Sequence, residues 1–473
     1  MTAIITDKIK KQFAQQILDE FVGASAGDSD NYYYIAVGRS QQWQPETNAD
    51  NAIIPAATER EERKFRYDMQ SVKSAEAASF VIPLYDWSAN TTYQAYNDNV
   101  EGQPSQSYYV RTEDNNVYLC IRTGKNIQGG VQISTVKPSH LNTTLPIEVD
   151  GYVWKFLYTI STADANKFLT SAFMPVKFVD SADALSPDFL QYNVQNNAIP
   201  GQIVGYRVTE AGGVYSSAPT LTVVGNGSNA KARAILNATG GIAAVEVGDS
   251  ANAPLLSNMG SGYDYANVVI GAGSLAGGGT VAKVVPVFAA NAGLGADAST
   301  DLRTTAVMFN IKPEGTVSDK WVVDKGYRQV GILKNPTVYN SATKFSATQG
   351  IALKKMTLTT PVGDGDPTNG YGILFNNDVK ITGGSSTAKA WLNFYDDSST
   401  IWYHQDEYTG FTPFQNAETI TVEGYSASTL TLSAAAISPD IDIFSGDLLF
   451  INNFGEVQRD RAQTEDIKVV IKL

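Results

Sequence analysis

The sequence predicts a mainly β fold with several domains: an all-β, sandwich-like core, a few peripheral helices and two inserted small β-domains. Charged residues make up 18% of the 473 positions, below the roughly 25% of average soluble domains. Aromatic residues reach 10%, and the chain has 40 Gly and 24 Tyr. This composition is typical of strands joined by many turns, and the length exceeds what one compact core holds.

Composition also argues against several functions. The net charge of −13 and the scattered lysines and arginines argue against nucleic acid as a partner, because phosphate binding needs clustered positive charge. Cys120 is the only cysteine, so no internal disulfide framework is expected, and His140 and His404 are too few for a multi-histidine metal site. No apolar run approaches the roughly 20 residues of a membrane helix, so no membrane partner is expected.

Two segments have helical patterns. Apolar residues recur every four positions within 5–22, and these are Ile9, Phe13, Ile17 and Phe21. This amphipathic helix belongs to an N-terminal arm of residues 1–25, and its apolar stripe should pack against a sheet or a partner. A second helix, of mixed charge, is predicted over Thr58–Lys73.

The run Asp150–Ile160 (DGYVWKFLYTI) is the centre of the predicted core. β-branched and aromatic residues directly after Asp-Gly are typical of a strand that leaves a tight turn. Because side chains alternate along a strand, Trp154, Phe156 and Tyr158 should share one face. Further strands of this first part of the core, residues 26–200, are predicted at 31–40, 81–87, 107–110 and 116–122.

Residues 201–295 have a different composition, dominated by Gly, Ala, Ser, Val and Thr. They contain an internal repeat in which GGVYSSAPTLTV aligns with GSGYDYANVVI, so that Tyr215 and Tyr263 are 48 positions apart (263 − 215). Each copy continues through a glycine loop into an Ala/Val strand, at 230–236 and 280–287. Two small β-units packed on each other are therefore expected to form an inserted domain.

The remaining chain alternates between core and a second insert. Residues 296–345 return to the core with the strand-like run KGYRQVGILKNP at 325–336. Residues 437–473 complete the core with strands in SGDLLFINN and QTEDIKVVI. Between these segments, the low-charge residues 346–436 are predicted to form a second inserted β-module.

Five of these runs resemble signatures of one family, the baseplate wedge subunits of T-even-type contractile phage tails, specifically the small wedge subunit that dimerises. In the family's order, the matching segments are Gly38-Arg39-Ser40 with Trp43, Ile82-Pro83 with Asp86-Trp87, the Asp150 run, the 325–336 run, and Ser445-Gly-Asp with Gln463-Thr-Glu-Asp-Ile. The 325–336 run is the most specific, because it agrees over a long stretch without a gap. The likeness covers roughly 25–200, 300–345 and 437–473 and leaves out 201–290.

The resemblance implies a structural protein that works through its interfaces and is not an enzyme. Family members have a mostly β fold, form a homodimer in each wedge and contact neighbouring wedge proteins. The expected partners are therefore a second copy of the chain and other baseplate wedge subunits. The expected location is the virion, in the tail baseplate, after synthesis in the host cytoplasm. No catalytic, cofactor-binding or metal-binding residues are expected.

Three segments carry chemically suggestive residues without completing a known site. Gly271-Ala-Gly273 nearly matches the dinucleotide fingerprint, but the glycines that follow predict a hairpin tip instead of the required helix. Asp364 and Asp366 are spaced like the first two ligands of a calcium loop, but the later ligands of such a loop are missing. Asp and Gly are also common turn residues, so a turn accounts for this segment without an ion, and ion binding stays open. His404 lies near Asp406 and Glu407, but no nucleophile is beside it. These three residues are therefore interpreted as polar residues exposed to solvent.

Two alternative functions remain open. A receptor- or carbohydrate-binding tail adhesin would hold a host surface glycan on exposed aromatic residues, for which Tyr32–Tyr34 and Trp402-Tyr403 are the candidates; within strands, such residues more often form core or interface. A glycan-cleaving enzyme would use Asp440 and Asp442, which alternate with isoleucines and should share one strand face. A solvated strand face explains the same alternation without chemistry.

Overall fold

The computed structural model describes residues 5–22, 31–43, 52–99, 107–126, 129–271, 275–312, 325–359, 379–395, 400–423, 425–459 and 465–473. Strands account for 40% of the structure and helices for 12%, which confirms the predicted mainly β, multi-domain fold. The chain divides into two compact units. The first comprises residues 1–16, 79–308 and 472–473, and the second comprises 17–78 and 309–471. The finer domain boundaries stay predictions.

Six helices occur in the described part of the chain: α1 (Asp7–Val22), α2 (Glu59–Asp68), α3 (Thr162–Phe168), α4 (Phe189–Asn196), α5 (Leu255–Asn258) and α6 (Ala298–Asp301). Among the described residues, no helix combines the length and the apolar composition that a membrane crossing requires. Of the apolar stripe predicted for α1, Ile9 and Phe13 are exposed, and Ile17 and Phe21 are half-buried. The covered residues of this helix, Ala14 and Leu18, lie beside that stripe.

The strands up to residue 176 are β1 (Tyr33–Gly38), β2 (Met69–Ser74), β3 (Ala77–Pro83), β4 (Tyr109–Arg111), β5 (Asn116–Arg122), β6 (Val153–Thr159) and β7 (Phe173–Val176). Those of residues 203–288 are β8 (Ile203–Glu210), β9 (Thr220–Gly225), β10 (Ser228–Ala230), β11 (Ala232–Leu236), β12 (Ile242–Val247), β13 (Met259–Ser261), β14 (Ala266–Ile270) and β15 (Lys283–Phe288). The remaining strands are β16 (Ala306–Ile311), β17 (Lys325–Lys334), β18 (Gln349–Ile351), β19 (Lys354–Leu358), β20 (Lys380–Gly383), β21 (Lys389–Tyr395), β22 (Thr400–His404), β23 (Thr419–Val422), β24 (Tyr425–Ile437), β25 (Asp447–Arg459) and β26 (Ile467–Lys472).

The prediction of a single helix over Thr58–Lys73 is wrong. Thr58 does cap α2, because its hydroxyl accepts the N–H of Glu61 at 3.3 Å. The helix ends at Asp68, however, and the chain continues directly as β2, in which Val72 is fully buried. Strand pairing with distant parts of the chain overrides the local helical pattern here.

In the first unit, Asp150 organises the turn that leads into β6. Its Oδ2 accepts the N–H groups of Thr135 at 2.7 Å and of Val136 at 3.0 Å. Gly151 then adopts a φ of +82°, which side chains disfavour. The strand itself is buried from Val153 to Tyr158 and forms one edge of the antiparallel sheet β4-β5-β6. The Asp-Gly pair and the aromatic run therefore act together, as turn and core strand.

Residues 203–288 contain the internal repeat, and its two copies interlock. The equivalent strands β9 and β14 pair antiparallel, with Leu221 opposite Ile270. Each copy also pairs with the other at its ends. Strand β8, which precedes the first repeated tyrosine, pairs with β15, and β13, which precedes the second, pairs with β10 of the first copy.

The two repeated tyrosines close this arrangement. Tyr215 is 4% exposed, and its hydroxyl oxygen accepts the N–H of Ala282, in the second copy, at 2.9 Å. Tyr263 is 5% exposed, and its hydroxyl oxygen accepts the N–H of Ala230, in the first copy, at 3.4 Å. Each tyrosine thus satisfies a backbone donor of the opposite copy.

In the second unit, β1 lies at the centre of a five-stranded sheet of order β18-β2-β1-β17-β25. Every residue of β1 is buried. The pairing of β1 with β17 runs from Tyr33 opposite Lys334 to Gly38 opposite Gln329. One side of the sheet is covered by a cluster that consists of Tyr34, Ala36, Phe65, Met69, Val72, Leu333, Phe345, Ala352 and Ile441.

The second unit also contains a closed antiparallel barrel of six strands, in the order β19-β22-β21-β20-β23-β24. Closure removes the unpaired edges that an open sheet of this size would expose. The barrel is filled by an apolar cluster that includes Met356, Leu358, Ile381, Ala388, Ala390, Leu392, Ile401, Tyr403, Phe414, Ile420, Val422, Leu430 and Leu432.

Glu418 fixes the turn between β20 and β21. One carboxylate oxygen accepts the N–H groups of Ser385 at 3.1 Å and Ser386 at 2.9 Å. The other accepts the N–H of Gln415 at 2.6 Å and the Ser386 hydroxyl at 2.8 Å. Burial acts to raise the pKa of Glu418, but the hydrogen bonds from Ser386, Gln415 and Ser385 outweigh it and hold the pKa below its usual range.

We expect Tyr215→Phe to lower the free energy of unfolding by about 1–3 kcal/mol, because it leaves the buried N–H of Ala282 without an acceptor. Tyr263→Phe should cost less, at most about 1 kcal/mol, because its hydrogen bond is longer. Urea unfolding followed by circular dichroism measures both variants. Equal losses in the two variants would contradict the ranking.

The ionised Glu418 should stabilise the barrel in a pH-dependent way. Because its folded pKa is lowered, its contribution is present above the unfolded pKa and is lost as the pH falls through the folded value. Glu418→Gln should therefore destabilise the protein at pH 7, and its deficit in Tm should shrink as the pH drops below about 4.5. Thermal unfolding between pH 7 and pH 3 checks this, with the exposed Glu423→Gln as the control. A Tm deficit that stays constant over this pH range would contradict the prediction.

Candidate functional site

Two segments of the predicted core meet at one end of the β1–β17 pairing. Gly38 lies opposite Gln329, and the pairing of β1 with β2 is irregular between Val37 and Gly38. A Cβ atom on Gly38 would lie 2.7 Å from the carbonyl oxygen of Asp68, so only glycine fits. Arg39 has a left-handed φ of +56°, and its N–H donates to the same oxygen at 2.9 Å. This turn fixes where the Arg39 side chain points.

Arg39 forms a largely buried ion pair. Its Nη1 lies 3.1 Å from Oδ2 of Asp68, and both side chains are shielded from solvent. The guanidinium stacks on Trp43, 4.3 Å from the ring centroid, and Nη2 donates to the carbonyl of Gln42 at 3.0 Å. The arginine is therefore held by a carboxylate, an aromatic ring and the backbone together.

Ser40 connects the same turn to a second arginine. Its carbonyl oxygen accepts a hydrogen bond from Nη1 of Arg328, which is 2% exposed. Nη2 of Arg328 lies 3.1 Å from Oε2 of Glu456 in β25. The Ser40 hydroxyl accepts a hydrogen bond from Nδ2 of Asn393 at 3.2 Å. One short segment thus links β17, β25 and the barrel strand β21.

Asp406 lies just beyond the end of β22 and is 5% exposed. Its Oδ1 accepts the N–H groups of Tyr408 at 2.9 Å and Thr409 at 2.8 Å. Its Oδ2 accepts the indole N–H of Trp391 at 3.0 Å. The backbone turn that follows Asp406 therefore fixes one carboxylate oxygen and directs the other towards the interior.

His404, the last residue of β22, is 4% exposed. Its Nδ1 lies 2.7 Å from Oδ1 of Asn393, and its Nε2 lies 3.8 Å from Oδ1 of Asp68. Asp68, His404 and Asp406 each place one possible ligand atom within 4.8 Å of the other two. These are the residues of the described chain that could hold a metal ion.

The electrostatics of this cluster are dominated by burial. Burial raises the pKa of Asp68 to about 6; the Arg39 guanidinium opposes the rise, and the Asp406 carboxylate adds to it. Nε2 of Gln41 donates to Oδ1 of Asp68 at 2.9 Å and approaches Oδ2 of Asp406 at 3.4 Å. The Gln41 amide therefore lies between two carboxylates that would otherwise repel each other.

A cavity of about 110 Å³ opens onto the cluster. Trp43, Tyr67 and Tyr408 line it together with Asp68 and Asp406. The cavity therefore combines aromatic sides with an acidic end, and it is large enough for a few water molecules or for a small side chain.

The interpretation of His404 and Asp406 as solvent-exposed residues is wrong, because both are buried, although Glu407 is exposed. The apolar run just before His404 is the signal that could have indicated burial, because it predicts a covered strand end. Asp68 was missed because the predicted helix ran past it.

Asp440 and Asp442 do not lie on the face of a regular strand, so that prediction is also wrong. Ile441 between them is fully buried and forms only an isolated bridge. Oδ2 of Asp440 accepts the N–H of Ile351 at 3.0 Å, and Oδ1 of Asp442 accepts the N–H of Phe444 at 2.9 Å. Each carboxylate thus holds backbone in place.

The aromatic residues considered for glycan binding are mainly core residues. Tyr33 and Tyr34 are 3% and 0% exposed, and Trp402 and Tyr403 are 4% and 2% exposed. Tyr32 is half-buried. Buried rings cannot offer a face to a sugar from solvent, so these positions do not form the stacking surface that an adhesin needs.

The other candidate residues have structural surroundings or lie outside the described part of the chain. Cys120 is buried, and burial raises the pKa of its thiol above the usual range, as expected for an inert thiol. Nε2 of His140 lies 2.8 Å from the carbonyl oxygen of Trp154. The candidate residues Gly273, Asp364, Asp366 and Gln463 lie outside the described residues.

Models of known protein families, compared with the chain, give no match. The curated proteins give no match either.

Arg328 should matter more for stability than its partner Glu456. Arg328→Met removes a buried charged donor from the Ser40 carbonyl, so we expect a loss of about 2–3 kcal/mol in the free energy of unfolding. Glu456→Gln should cost less than about 1 kcal/mol, because its side chain is 34% exposed and water can replace the pairing. Urea unfolding measures both variants. A Glu456→Gln loss as large as that of Arg328→Met would show that the ion pair, and not the bond to Ser40, is what stabilises this turn.

Proposed function

We propose that the chain is a structural subunit of the baseplate wedge of a contractile-tailed bacteriophage. In this role it contributes to the baseplate through interfaces with a second copy of itself and with other wedge subunits. The proposal starts from the likeness of five sequence segments to the family of small, dimeric wedge subunits. The observation that carries it further is where those segments lie in the fold.

Three of the five segments are neighbours in the central sheet of the second unit. Gly38-Arg39-Ser40 begins at the last residue of β1, the 325–336 run contains all of β17, and Ser445–Asn453 contains the first part of β25. Ser40 and Arg328, which are 288 positions apart, are joined by a hydrogen bond. Chance matches would be scattered over the structure, whereas residues that one fold requires lie together. Their adjacency therefore supports a shared core.

The other two segments with described positions are neighbours in the first unit. The N–H of Trp87 donates to the carbonyl of Arg111 in β4 at 2.8 Å. The Trp87 ring packs against the cluster that contains Trp154, from the Asp150 run. The D-W pair and the D-G-Y-V-W run thus contribute to one small core, which supports the proposal in the same way.

Helix α1 offers a surface for association between subunits. Ile9 and Phe13 are four residues apart in this helix and are 42% and 56% exposed; Ile5, just before its first residue, is 65% exposed. Residues with this spacing lie on one side of a helix. An apolar stripe that is open in the single chain would be covered in an assembly, and covering it would favour association.

We expect the purified chain to have a solution mass of twice 50.9 kDa by light scattering. The double variant Ile9→Asp and Phe13→Asp should reduce that mass to one chain, because charge cannot be buried in an apolar interface. The matched control is Gln12→Asp with Gln16→Asp, two exposed positions of the same helix. Mixing with the other wedge subunits of the same phage should then give a complex that co-elutes on size exclusion.

Each other outcome has a defined meaning. A wild-type monomer that joins no wedge subunit would refute the proposal. A trimer that binds host cells or cell-wall glycans would favour the adhesin. A dimer that the α1 variant leaves intact would retain the function but move the interface elsewhere.

A further inference from the structure

The buried cluster in the second unit is arranged as ligands of a metal ion usually are. Each of three side chains has one polar atom fixed by a neighbour, and each offers a possible ligand atom within 4.8 Å of the other two. Asp406 is fixed by backbone N–H groups and Asp68 by Arg39. His404 is fixed by Asn393. Such supporting contacts orient metal ligands in proteins and set the tautomer of a ligating histidine.

The tautomer of His404 follows from Asn393. Nδ2 of Asn393 donates to the Ser40 hydroxyl, so its amide oxygen faces Nδ1 of His404. An amide oxygen only accepts, so Nδ1 carries the hydrogen, and a neutral imidazole then has its lone pair at Nε2. That atom lies 3.8 Å from Oδ1 of Asp68. The lone pair of Nε2 and the negative charge of the carboxylate repel each other at this distance. A cation bound near both atoms would attract each of them.

We propose that Asp68, His404 and Asp406 together bind one divalent transition-metal ion, for which zinc is the best fit. The three ligand atoms lie within 4.8 Å of one another, as ligands around one ion must. One imidazole nitrogen and two carboxylate oxygens form a donor set that zinc accepts, whereas magnesium and calcium prefer oxygen alone.

Gln41 supplies an independent observation. Its side chain is buried, with 6% exposure, and lies between the two carboxylates. Its Oε1 is buried and has no hydrogen-bond partner among the residues that the structure describes. A buried acceptor without a partner is unfavourable. If the amide rotates by half a turn, Oε1 takes the place of Nε2 between the carboxylates. There it would serve as the fourth ligand of the ion.

The local charge also favours a divalent cation. The charged residues that line the cavity are two basic ones, Arg39 and Lys64, and four acidic ones, Glu61, Asp68, Asp406 and Glu407. Arg60 pairs with Glu407 at 3.1 Å, so with Arg60 included the formal charges sum to −1 (3 − 4), and a bound cation offsets this excess of negative charge. Arg39 pairs with Oδ2 of Asp68, and the other oxygen, Oδ1, accepts the Gln41 amide N–H, which a bound ion would replace.

The ion would act as a structural clamp. It would join the end of α2, which carries Asp68, to the end of β22, which carries His404. No substrate or catalytic step is involved, and the inference does not depend on the wedge function, because a clamp of this kind suits any assembly or binding protein.

The test uses the full-length chain after removal of metal with EDTA and dialysis. Titration calorimetry with zinc chloride should give one equivalent bound, and zinc should raise the Tm in a concentration-dependent way, because it binds the folded state. Magnesium chloride at the same concentration should change neither. Cobalt(II) should give visible absorption bands that excess zinc abolishes. A wild-type chain that binds no equivalent of zinc overturns the proposal.

Variants then locate the ion. His404→Gln should weaken zinc binding at least tenfold, and Asn393→Ala, which retains all three ligands, by roughly tenfold. The matched control is His140→Gln, which removes the other histidine of the chain and should bind zinc like the wild type. Equal weakening in His140→Gln, or none in His404→Gln, would assign the zinc to an adventitious surface site. If His404→Gln does not fold, Asn393→Ala and the cobalt spectrum still decide.

Discussion

The pairing of β1 with β17 is the constraint on which the second unit depends. The two strands come from opposite sides of a long intervening chain, yet they share six paired positions, from Tyr33 with Lys334 to Gly38 with Gln329. Strands β2 and β25 can join the sheet only on either side of this pair. Bringing the ends of so long a loop together has an entropic cost, which the contacts of one strand pair do not offset. The surrounding apolar and polar contacts must therefore form together with the pair.

Much of the specificity of this region comes from buried charge. Asp68 pairs with the buried Arg39, and the Ser40 carbonyl and Glu456 bind the buried Arg328, each at a defined position. A shift of the strands by one residue would leave these charges unmatched, at a cost of several kcal/mol each. Apolar packing alone tolerates such shifts better, so the polar contacts distinguish the native register from its neighbours.

The elements that the sequence predicts well are those with a strong local pattern. Strand β5 spans the predicted 116–122, and the Asp-Gly turn before β6 lies where its residues indicate. Strand β2 was missed because its neighbours along the chain carry the charge spacing of a helix, while its partners β1 and β18 are distant in sequence.

The alternation at Asp440 and Asp442 was misleading in the same way. It reflects one buried isoleucine between two carboxylates that bind backbone. The cluster of Asp68, His404 and Asp406 could not be predicted, because its members belong to separate elements that only the folded unit brings together.

The exchange of strands between the two repeat copies affects how this segment can be synthesised. Among the described strands, β8 pairs with β15 alone, and the hydroxyl that accepts the N–H of Ala230 belongs to Tyr263. The outer edges of the first copy therefore stay unpaired until the ribosome has released the second. A nascent chain in that state exposes strand edges that can pair with other chains. Neither copy completes its strand pairing without the other, so both must be synthesised before the domain can close.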